Sequence, residues 1–289
     1  MKNHVSIETL TEKPHSTYFL FIFLGALILF SIKSSAQGDL LLYPKRIVFE
    51  GSKKSQTLNL ANTGKDTVRY LISVMQGRMT VDGGFENISQ PDSGQQFANK
   101  FFRFFPRSVV LAPNEAQAIK IQLINTNDLA PGEYRSHIYF RAEPDKKPLG
   151  EVESNKDSAS ISVNLVAVFG ISIPVIIRIG ESTTRVRLSD ASFNLKNDSI
   201  PTLKVTFNRT GNMSVYGDIS VEHISLQGKV TAIGIAKGMA LYTPNPVRNF
   251  TLLLDKNAGV DYHTGRLHII YTTQPDAKAI KIAETELRL

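Results

Sequence analysis

From residue 40 onward, apolar and polar positions alternate in short runs separated by turn residues. In Ala118–Leu123 the alternation has a period of two, typical of a strand with one buried face and one face in water. Turn signals such as Asn62-Thr63-Gly64 and Ala130-Pro131-Gly132 separate neighbouring runs. No stretch has the 3.6-residue period of an amphipathic helix. The pattern predicts an all-β protein.

Two groups of runs predict two immunoglobulin-like β-sandwich domains. The boundary is placed near Ile179–Thr183, where a long apolar run gives way to polar residues. The predicted domains are 37–180 and 181–289. The first group of predicted strands is Leu40–Phe49, Ser55–Ala61, Val68–Gln76, Phe101–Val110, Gln117–Ile124, Tyr134–Ala142 and Ile161–Ile179. The second group is Arg185–Leu195, Leu203–Asn208, Gly217–His223, Lys229–Ile235, Val247–Leu254, Gly265–Tyr271 and Ile280–Leu287.

The N-terminal segment has the pattern of a secretory signal peptide. Lys2 and Lys13 precede the apolar run Tyr18–Phe30, and the small residues Ser34-Ser35-Ala36 follow as a cleavage site. The run is shorter than the roughly 20 apolar residues that a membrane-spanning helix needs. We therefore predict cleavage after residue 36, export across the inner membrane to the periplasm, and no stable membrane insertion of the mature chain.

Composition narrows the classes of function. The 289 residues carry a net charge of +7 and contain no cysteine, so disulfides, thiol nucleophiles and cysteine-bound zinc are excluded. The basic residues are scattered among the strands and are not clustered with aromatics, so a nucleic-acid partner is not predicted. His263 and His268 flank a turn, but no third ligand accompanies them. The chain lacks nucleophile-elbow, phosphate-loop and metalloprotease motifs, and no enzyme activity, metal or cofactor is predicted.

Arg46 is the first candidate for a binding residue. It lies in the run Leu40–Phe49, which begins shortly after the predicted cleavage site. The planar guanidinium can hold a carboxylate through two hydrogen bonds, and the terminus of another chain supplies a carboxylate. The alternative is a solvated arginine on an edge strand, where such residues discourage aggregation.

A second candidate is the apolar segment Ile161–Phe169, which follows the long polar connection Glu143–Ser160. The segment opens as an alternating strand and then becomes apolar on both faces. Such a strand can bury one face in its own core and offer the other to a partner. The alternative is a central strand that the same chain covers on both sides.

The chain resembles the PapD-like periplasmic chaperones of pilus and fimbrial assembly, as a divergent member. The similarity covers roughly residues 40–178 and is carried by the order and spacing of four segments. They are Arg46–Gly51, Leu58–Gly64, Phe105–Pro113 with Gln117–Ile121 after it, and Gly132–Phe140. The resemblance implies two immunoglobulin-like domains in a boomerang-like arrangement, with a client in the cleft between them.

The resemblance also implies a mechanism, donor-strand complementation. A pilin-like subunit lacks its last strand, and the chaperone lends one to cover the exposed groove. The lending strand here would be Ile161 to about Phe169, with Ile161, Val163, Leu165 and Ala167 as the groove-filling set. Val166 and Val168 are the alternative set, because a one-residue shift of register exchanges the faces.

Two positions depart from the family pattern. The family holds the client carboxylate with an arginine on the first strand and a lysine on the last; Arg46 matches the arginine, whereas Pro174 stands at or near the lysine. Lys45 or Arg178 could serve in place of that lysine. Arg135 stands where the family has a glutamate of its interdomain charge cluster, so we expect the cluster to be rewired or absent.

The sequence thus predicts a non-enzymatic chaperone for a secreted pilin-like or other β-rich subunit, which an outer-membrane usher could receive. A structural or adhesive surface module is the main alternative. A carbohydrate-binding or hydrolytic accessory domain is a further one, although the chain has no tryptophan for a sugar platform.

Overall fold

The computed structural model describes residues 39–143, 168–196, 200–256, 258–274 and 279–289, and within them every regular element is a β-strand. The predicted all-β class is therefore confirmed. The eighteen strands are β1 Leu40–Tyr43, β2 Ile47–Phe49, β3 Ser55–Asn62, β4 Val68–Met75, β5 Gly77–Met79, β6 Phe85–Asn87, β7 Phe102–Phe105, β8 Ser108–Leu111, β9 Ala116–Leu123, β10 Gly132–Glu143, β11 Gly170–Ile179, β12 Arg185–Lys196, β13 Ile200–Thr210, β14 Val215–Ile224, β15 Val230–Leu241, β16 Val247–Leu253, β17 Arg266–Thr273 and β18 Lys281–Arg288.

The first sandwich packs a four-stranded sheet, β1-β3-β9-β7, on a five-stranded sheet, β2-β11-β10-β4-β8. Alternate residues of each strand point into the shared core. On β9 the inward residues are Ile119 and Ile121, both fully buried, as the alternation of this run predicts. On β10 the inward residues are Ile138 and Phe140, also fully buried.

Two predicted strands are each divided between the two sheets. Leu40–Phe49 was predicted as one strand, but β1 pairs with β3 in one sheet and β2 pairs with β11 in the other. Phe101–Val110 likewise divides into β7 and β8. The breaks fall at Pro44 and Pro106, because proline has no N–H to donate to a ladder.

The second sandwich contains a three-stranded sheet, β12-β13-β16, and a four-stranded sheet, β15-β14-β17-β18. Its core is separate from the first and is built from residues after position 185, among them Phe207, Ile269 and Tyr271, which are fully buried. Residues 39–289 nevertheless form one compact unit. The division of the chain into domains 37–180 and 181–289 stays a prediction.

The hairpin formed by β5 and β6 was not predicted. It follows β4 directly and turns through Asp82-Gly83-Gly84. Although it belongs to the first half of the chain, its contacts reach the second sandwich: Asn249 donates its backbone N–H to the carbonyl of Val81 at 2.7 Å, and Asn245 donates its side-chain amide to the carbonyl of Met79 at 2.6 Å.

Strand β11 has one edge that is only partly paired. On one side β10 pairs with its whole length, from Gly170 to Ile179. On the other side β2 pairs in parallel with Val175–Ile177 alone. Among the described strands, none pairs with Gly170–Pro174 on that side. The strand therefore presents an open edge where the chain enters it.

Two predicted segments fall outside the described residues, namely the signal peptide and the part of the lending strand before Val168. Within the residues that the structure describes, no helix is long and apolar enough to cross a membrane.

Candidate functional site

One face of β10 carries three titratable side chains in alternation. Glu133, Arg135 and His137 share this face, because residues two apart on a strand point the same way. Tyr134 and Ile138, at alternate positions of the same strand, face the first core. All three titratable side chains are buried, with exposed fractions of 3, 2 and 5%. The face is covered by the second sandwich.

Glu133 connects the two sandwiches through hydrogen bonds. Its carboxylate accepts the backbone N–H of Ser214 at 2.9 Å and the hydroxyl of the same residue at 2.5 Å. It also accepts the hydroxyl of Thr243 at 3.3 Å and the Nε–H of Arg178 at 3.4 Å. Because the Glu133 side chain is fully buried, these donors replace the water that an ionised carboxylate would otherwise need.

Arg178 supplies the positive charge of this cluster. It faces Glu133 across the pairing of β10 with β11. It donates to the carbonyl of Ser214 at 2.8 Å and lies 3.8 Å from a carboxylate oxygen of Glu50. A charge cluster between the sandwiches is thus present in a rewired form, in line with the expectation of a rewired or absent cluster. Its carboxylate comes from Glu133, two residues before Arg135 on the same face, and the hydroxyls of Ser214 and Thr243 complete it.

Arg46 lies in the bend just before β2, and not inside a strand as predicted. Its guanidinium carbon lies 4.0 Å from the centre of the Tyr216 ring, a cation–π contact with the second sandwich. Its Nε and Nη1 are buried and have no hydrogen-bond partner among the described residues. Burial lowers the pKa of Arg46, while the nearby Tyr242 acts in the opposite direction.

Arg135 is the second guanidinium on this face. It donates to the carbonyl of Thr243 at 3.0 Å, and its guanidinium carbon lies 4.3 Å from the centre of the Tyr242 ring. Its Nε and Nη1, like those of Arg46, have no partner in the described part of the chain. Burial lowers its pKa. Burial also raises the pKa of the Tyr242 hydroxyl, which Arg46 and Arg135 both oppose as nearby positive charges.

His137 is the last of the three titratable residues and lies two positions after Arg135 on the same face of β10. Burial and the charge of Arg135 lower its pKa to about 3, so the imidazole is neutral at ordinary pH. Its Nδ1 is buried without a partner among the described residues. The ring of Phe85, from the hairpin, packs edge-on against His137 at 5.3 Å and against Tyr242 at 5.8 Å.

Apolar side chains frame these charges. Ile176 of β11 lies between Val48 of β2 and Arg135 of β10 in the register. Ile176 packs with Met79, Ala240 and Tyr242 in a small cluster separate from the two main cores. The environment around the guanidinium groups is therefore of low polarity, which strengthens any ion pair formed there.

The remaining predicted site residues are distributed as follows. Pro174 pairs with His137, one position before the segment that β2 covers. Lys45 is exposed, and Arg178 is held in the Glu133 cluster. Val168 and Phe169 are exposed, with exposed fractions of 42 and 54%. The predicted groove-filling residues Ile161, Val163, Leu165 and Ala167, and the alternative Val166, lie outside the described residues.

Sequence reasoning missed the aromatic side of the site. Tyr216 and Tyr242 come from the second sandwich, and Phe85 from the unpredicted hairpin. A signal was present in the alternation Glu133-x-Arg135-x-His137 on a strand rich in aromatic and β-branched residues. Such alternation is typical of a strand face that is exposed to water, so it does not reveal that a second sandwich covers the face instead.

Metal binding is not indicated by the described side chains. No three histidine, aspartate or glutamate residues in the described ranges are grouped as metal ligands would be. His268 instead lies 3.0 Å from a carboxylate oxygen of Glu284 and 3.6 Å from one of Glu222, in an exposed network on the second sandwich.

Comparison with solved structures finds chaperones at low sequence identity. The YadV chaperone is 14% identical with a TM-score of 0.42, covering 87% of this chain and 100% of its own. The CupB2 chaperone of Pseudomonas aeruginosa is 14% identical with a TM-score of 0.42, covering 86% and 100%. A chain from a chaperone–tip adhesin complex of CFA/I fimbriae biogenesis is 11% identical with a TM-score of 0.41, covering 86% and 97%. No protein-family model and no curated protein matches the chain.

Proposed function

We propose that this protein is a periplasmic chaperone that binds incomplete β-sandwich subunits by lending them a strand and delivers them for outer-membrane assembly. Its partners are a secreted pilin-like or other β-rich subunit and an outer-membrane usher. The function is binding and not catalysis. Localisation rests on the signal-peptide pattern of residues 1–36.

The observation that carries the proposal is the open edge of β11 beside an unpartnered guanidinium. Among the described strands, none pairs with Gly170–Pro174 on one side. Arg46 directly precedes β2, which begins to pair with β11 at Val175. An open edge offers backbone N–H and C=O groups to an incoming strand. A cation at the end of that edge fixes the register by holding the terminal carboxylate of the strand.

The exposed apolar residues Val168 and Phe169 support the same proposal, because they lead into the open edge. Alternate side chains of a lent strand fill the groove of a subunit that lacks its own strand. On β11 the inward residues are odd-numbered, namely Ile173, Val175 and Ile177. The predicted groove-filling residues are odd-numbered as well: Ile161, Val163, Leu165 and Ala167.

A capture experiment tests the function. The tagged protein is purified from the periplasm of its native host, and co-purifying proteins are identified by mass spectrometry. We expect a β-rich subunit with the wild type and its loss with Arg46→Ala and with Leu165→Asp. Arg103→Ala is the control, because Arg103 is exposed on β7 and bonds only to Gln122 among the described residues. Equal capture by all four proteins, or capture of no β-rich subunit, would refute the proposal.

A further inference from the structure

The backbone N–H groups of β11 point alternately toward β10 and toward the open edge. In an antiparallel ladder a residue directs its N–H and its C=O to the same neighbouring strand, and the next residue directs both away. Ala142 of β10 donates its N–H to the carbonyl of Phe169 at 3.0 Å. Because Phe169 bonds to β10, the odd-numbered residues that follow it in the ladder also bond to β10. Gly170, Ser172 and Pro174 therefore face the open edge.

The parallel pairing with β2 gives the same assignment. The carbonyl of Val48, in the middle of β2, accepts a hydrogen bond from the side chain of Gln56, so Val48 faces away from β11. Its neighbours Ile47 and Phe49 face β11, and the even-numbered Ile176 lies between them in the register. Even-numbered residues of β11 thus face β2 where that strand covers them, and the open edge elsewhere.

Pro174 is the last residue of the open edge, and it has no N–H to offer. Proline is tolerated within a sheet where its missing N–H would point to an unpaired edge, which agrees with this position. The register sets Ile47 opposite Val175, which directs the N–H of Ile47 to the carbonyl of Pro174. The ring carbon on the proline nitrogen takes the place of the missing hydrogen. Neither backbone group of Pro174 is therefore available to a partner.

On the open edge of β11, Gly170 and Ser172 alone offer both a donor and an acceptor. Among the described residues, no group bonds to either N–H. We propose that Pro174 is a stop, which ends the pairing of an incoming strand at Ser172. The partner is an extended segment of the β-rich subunit. The inference rests on the proposed function and adds the residue that limits how far the strand can pair.

A fixed end of pairing matters because it sets the register of the incoming strand. A shift of one residue exchanges the two faces of a strand. Without a stop, a longer edge would accept the same segment in more than one register. With Pro174 at its end, the edge determines which side chains of the segment lie on each face.

Residue-resolved hydrogen exchange tests the stop on the complex isolated in the capture experiment. In the free protein the amides of Ile171 and Ile173 should exchange slowly, because they bond to β10, and those of Gly170 and Ser172 should exchange fast. Binding should slow the Gly170 and Ser172 amides. In Pro174→Ala, binding should slow the amide at position 174 as well. Equally fast exchange at position 174 in the free and bound variant would refute the stop.

Dissociation rates of the subunit give a second measure, with opposite signs for two variants. Pro174→Ala adds a donor, so dissociation should slow about fivefold, the effect of one backbone hydrogen bond. Ser172→Pro removes a donor that the fold does not use, so dissociation should accelerate about fivefold. Ser172→Ala keeps the N–H and is the matched control. Pro174→Val also restores the donor, and it should act as Pro174→Ala does even if alanine lowers the melting temperature.

The outcomes separate this inference from the proposed function. Slowed Gly170 and Ser172 amides with no effect of Pro174→Ala would refute the stop and leave strand lending in place. A complex in which neither amide is slowed would refute strand lending at this edge, and the inference with it. If Pro174→Ala changes only the self-association of the free protein, Pro174 guards the edge against aggregation, and the inference is overturned.

Discussion

Replacement of Glu133 tests whether one carboxylate holds the two sandwiches together. Glu133→Ala removes the acceptor for the N–H and hydroxyl of Ser214, the hydroxyl of Thr243 and the Nε–H of Arg178. Breaking a buried ion pair by removing one partner costs roughly 3 to 5 kcal/mol. Arg178 keeps its bond to the Ser214 carbonyl and is 19% exposed. We therefore expect the lower end, about 3 kcal/mol.

Urea unfolding, followed by tyrosine fluorescence, measures this loss. With an m-value of roughly 3 kcal/mol/M, a 3 kcal/mol loss lowers the urea midpoint by about 1 M. Glu133→Gln keeps an acceptor oxygen but loses the charge, so about half of that effect is expected. The matched control is Glu143→Ala on the same strand, because Glu143 pairs with the exposed Arg69 at 3.5 Å. Exposed pairs contribute about 0 to 1 kcal/mol. Equal midpoints for Glu133→Ala and Glu143→Ala would refute the reasoning.

Three further predictions follow from burial and backbone geometry. Because the pKa of His137 is about 3 in the folded protein, the unfolded chain binds the proton more tightly, and stability decreases from about pH 6.5 down to about pH 3 by up to about 1.4 kcal/mol per pH unit. His137→Gln should therefore flatten this part of a plot of urea midpoint against pH. An unchanged plot would contradict the prediction. Gly83 has φ +84°, and a side chain at this position would meet the Arg248 side chain, so Gly83→Val should lower the free energy of unfolding by about 1 to 3 kcal/mol. Gly51 has open space around it, so Gly51→Ala should lower the free energy of unfolding by less. Similar losses for the two variants would count against the hairpin contact. Phe104 is 5% exposed and Phe105 is 77% exposed. In the same assay, Phe104→Ala should lower the free energy of unfolding by about 3 to 5 kcal/mol and Phe105→Ala by under about 1 kcal/mol. The reverse order would show that the β7 register is wrong.

The fold class could be predicted because local alternation determines it. The strands from Arg185 onward were located to within a few residues, apart from β15, which extends to Leu241 and not to Ile235. The two divided strands could not be predicted from alternation alone. Apolar residues stand on both sides of Pro44 and of Pro106, and only the pairing partners reveal a change of sheet.

The candidate site was predictable only where one residue carried the chemistry. Arg46 could be singled out because a guanidinium near an apolar strand has a recognisable use. Glu133 and Tyr242 were not singled out, because their significance arises from contacts between residues about 110 positions apart, such as the bond from Thr243 to Glu133. A strand face that alternates with charged residues has the same pattern whether water or another sandwich covers it.

The hairpin of β5 and β6 has a consequence for the thermodynamics of binding. It is an extension of the first sandwich that is hydrogen-bonded to Asn245 and Asn249 of the second. It therefore acts as a brace between the two sandwiches, and under the proposed function it fixes their relative position before a subunit binds. Ordering two loosely joined bodies around a ligand would consume part of the interaction free energy, and a pre-organised cleft avoids that entropic loss. Shortening the hairpin should thus weaken the binding of a subunit through the association entropy.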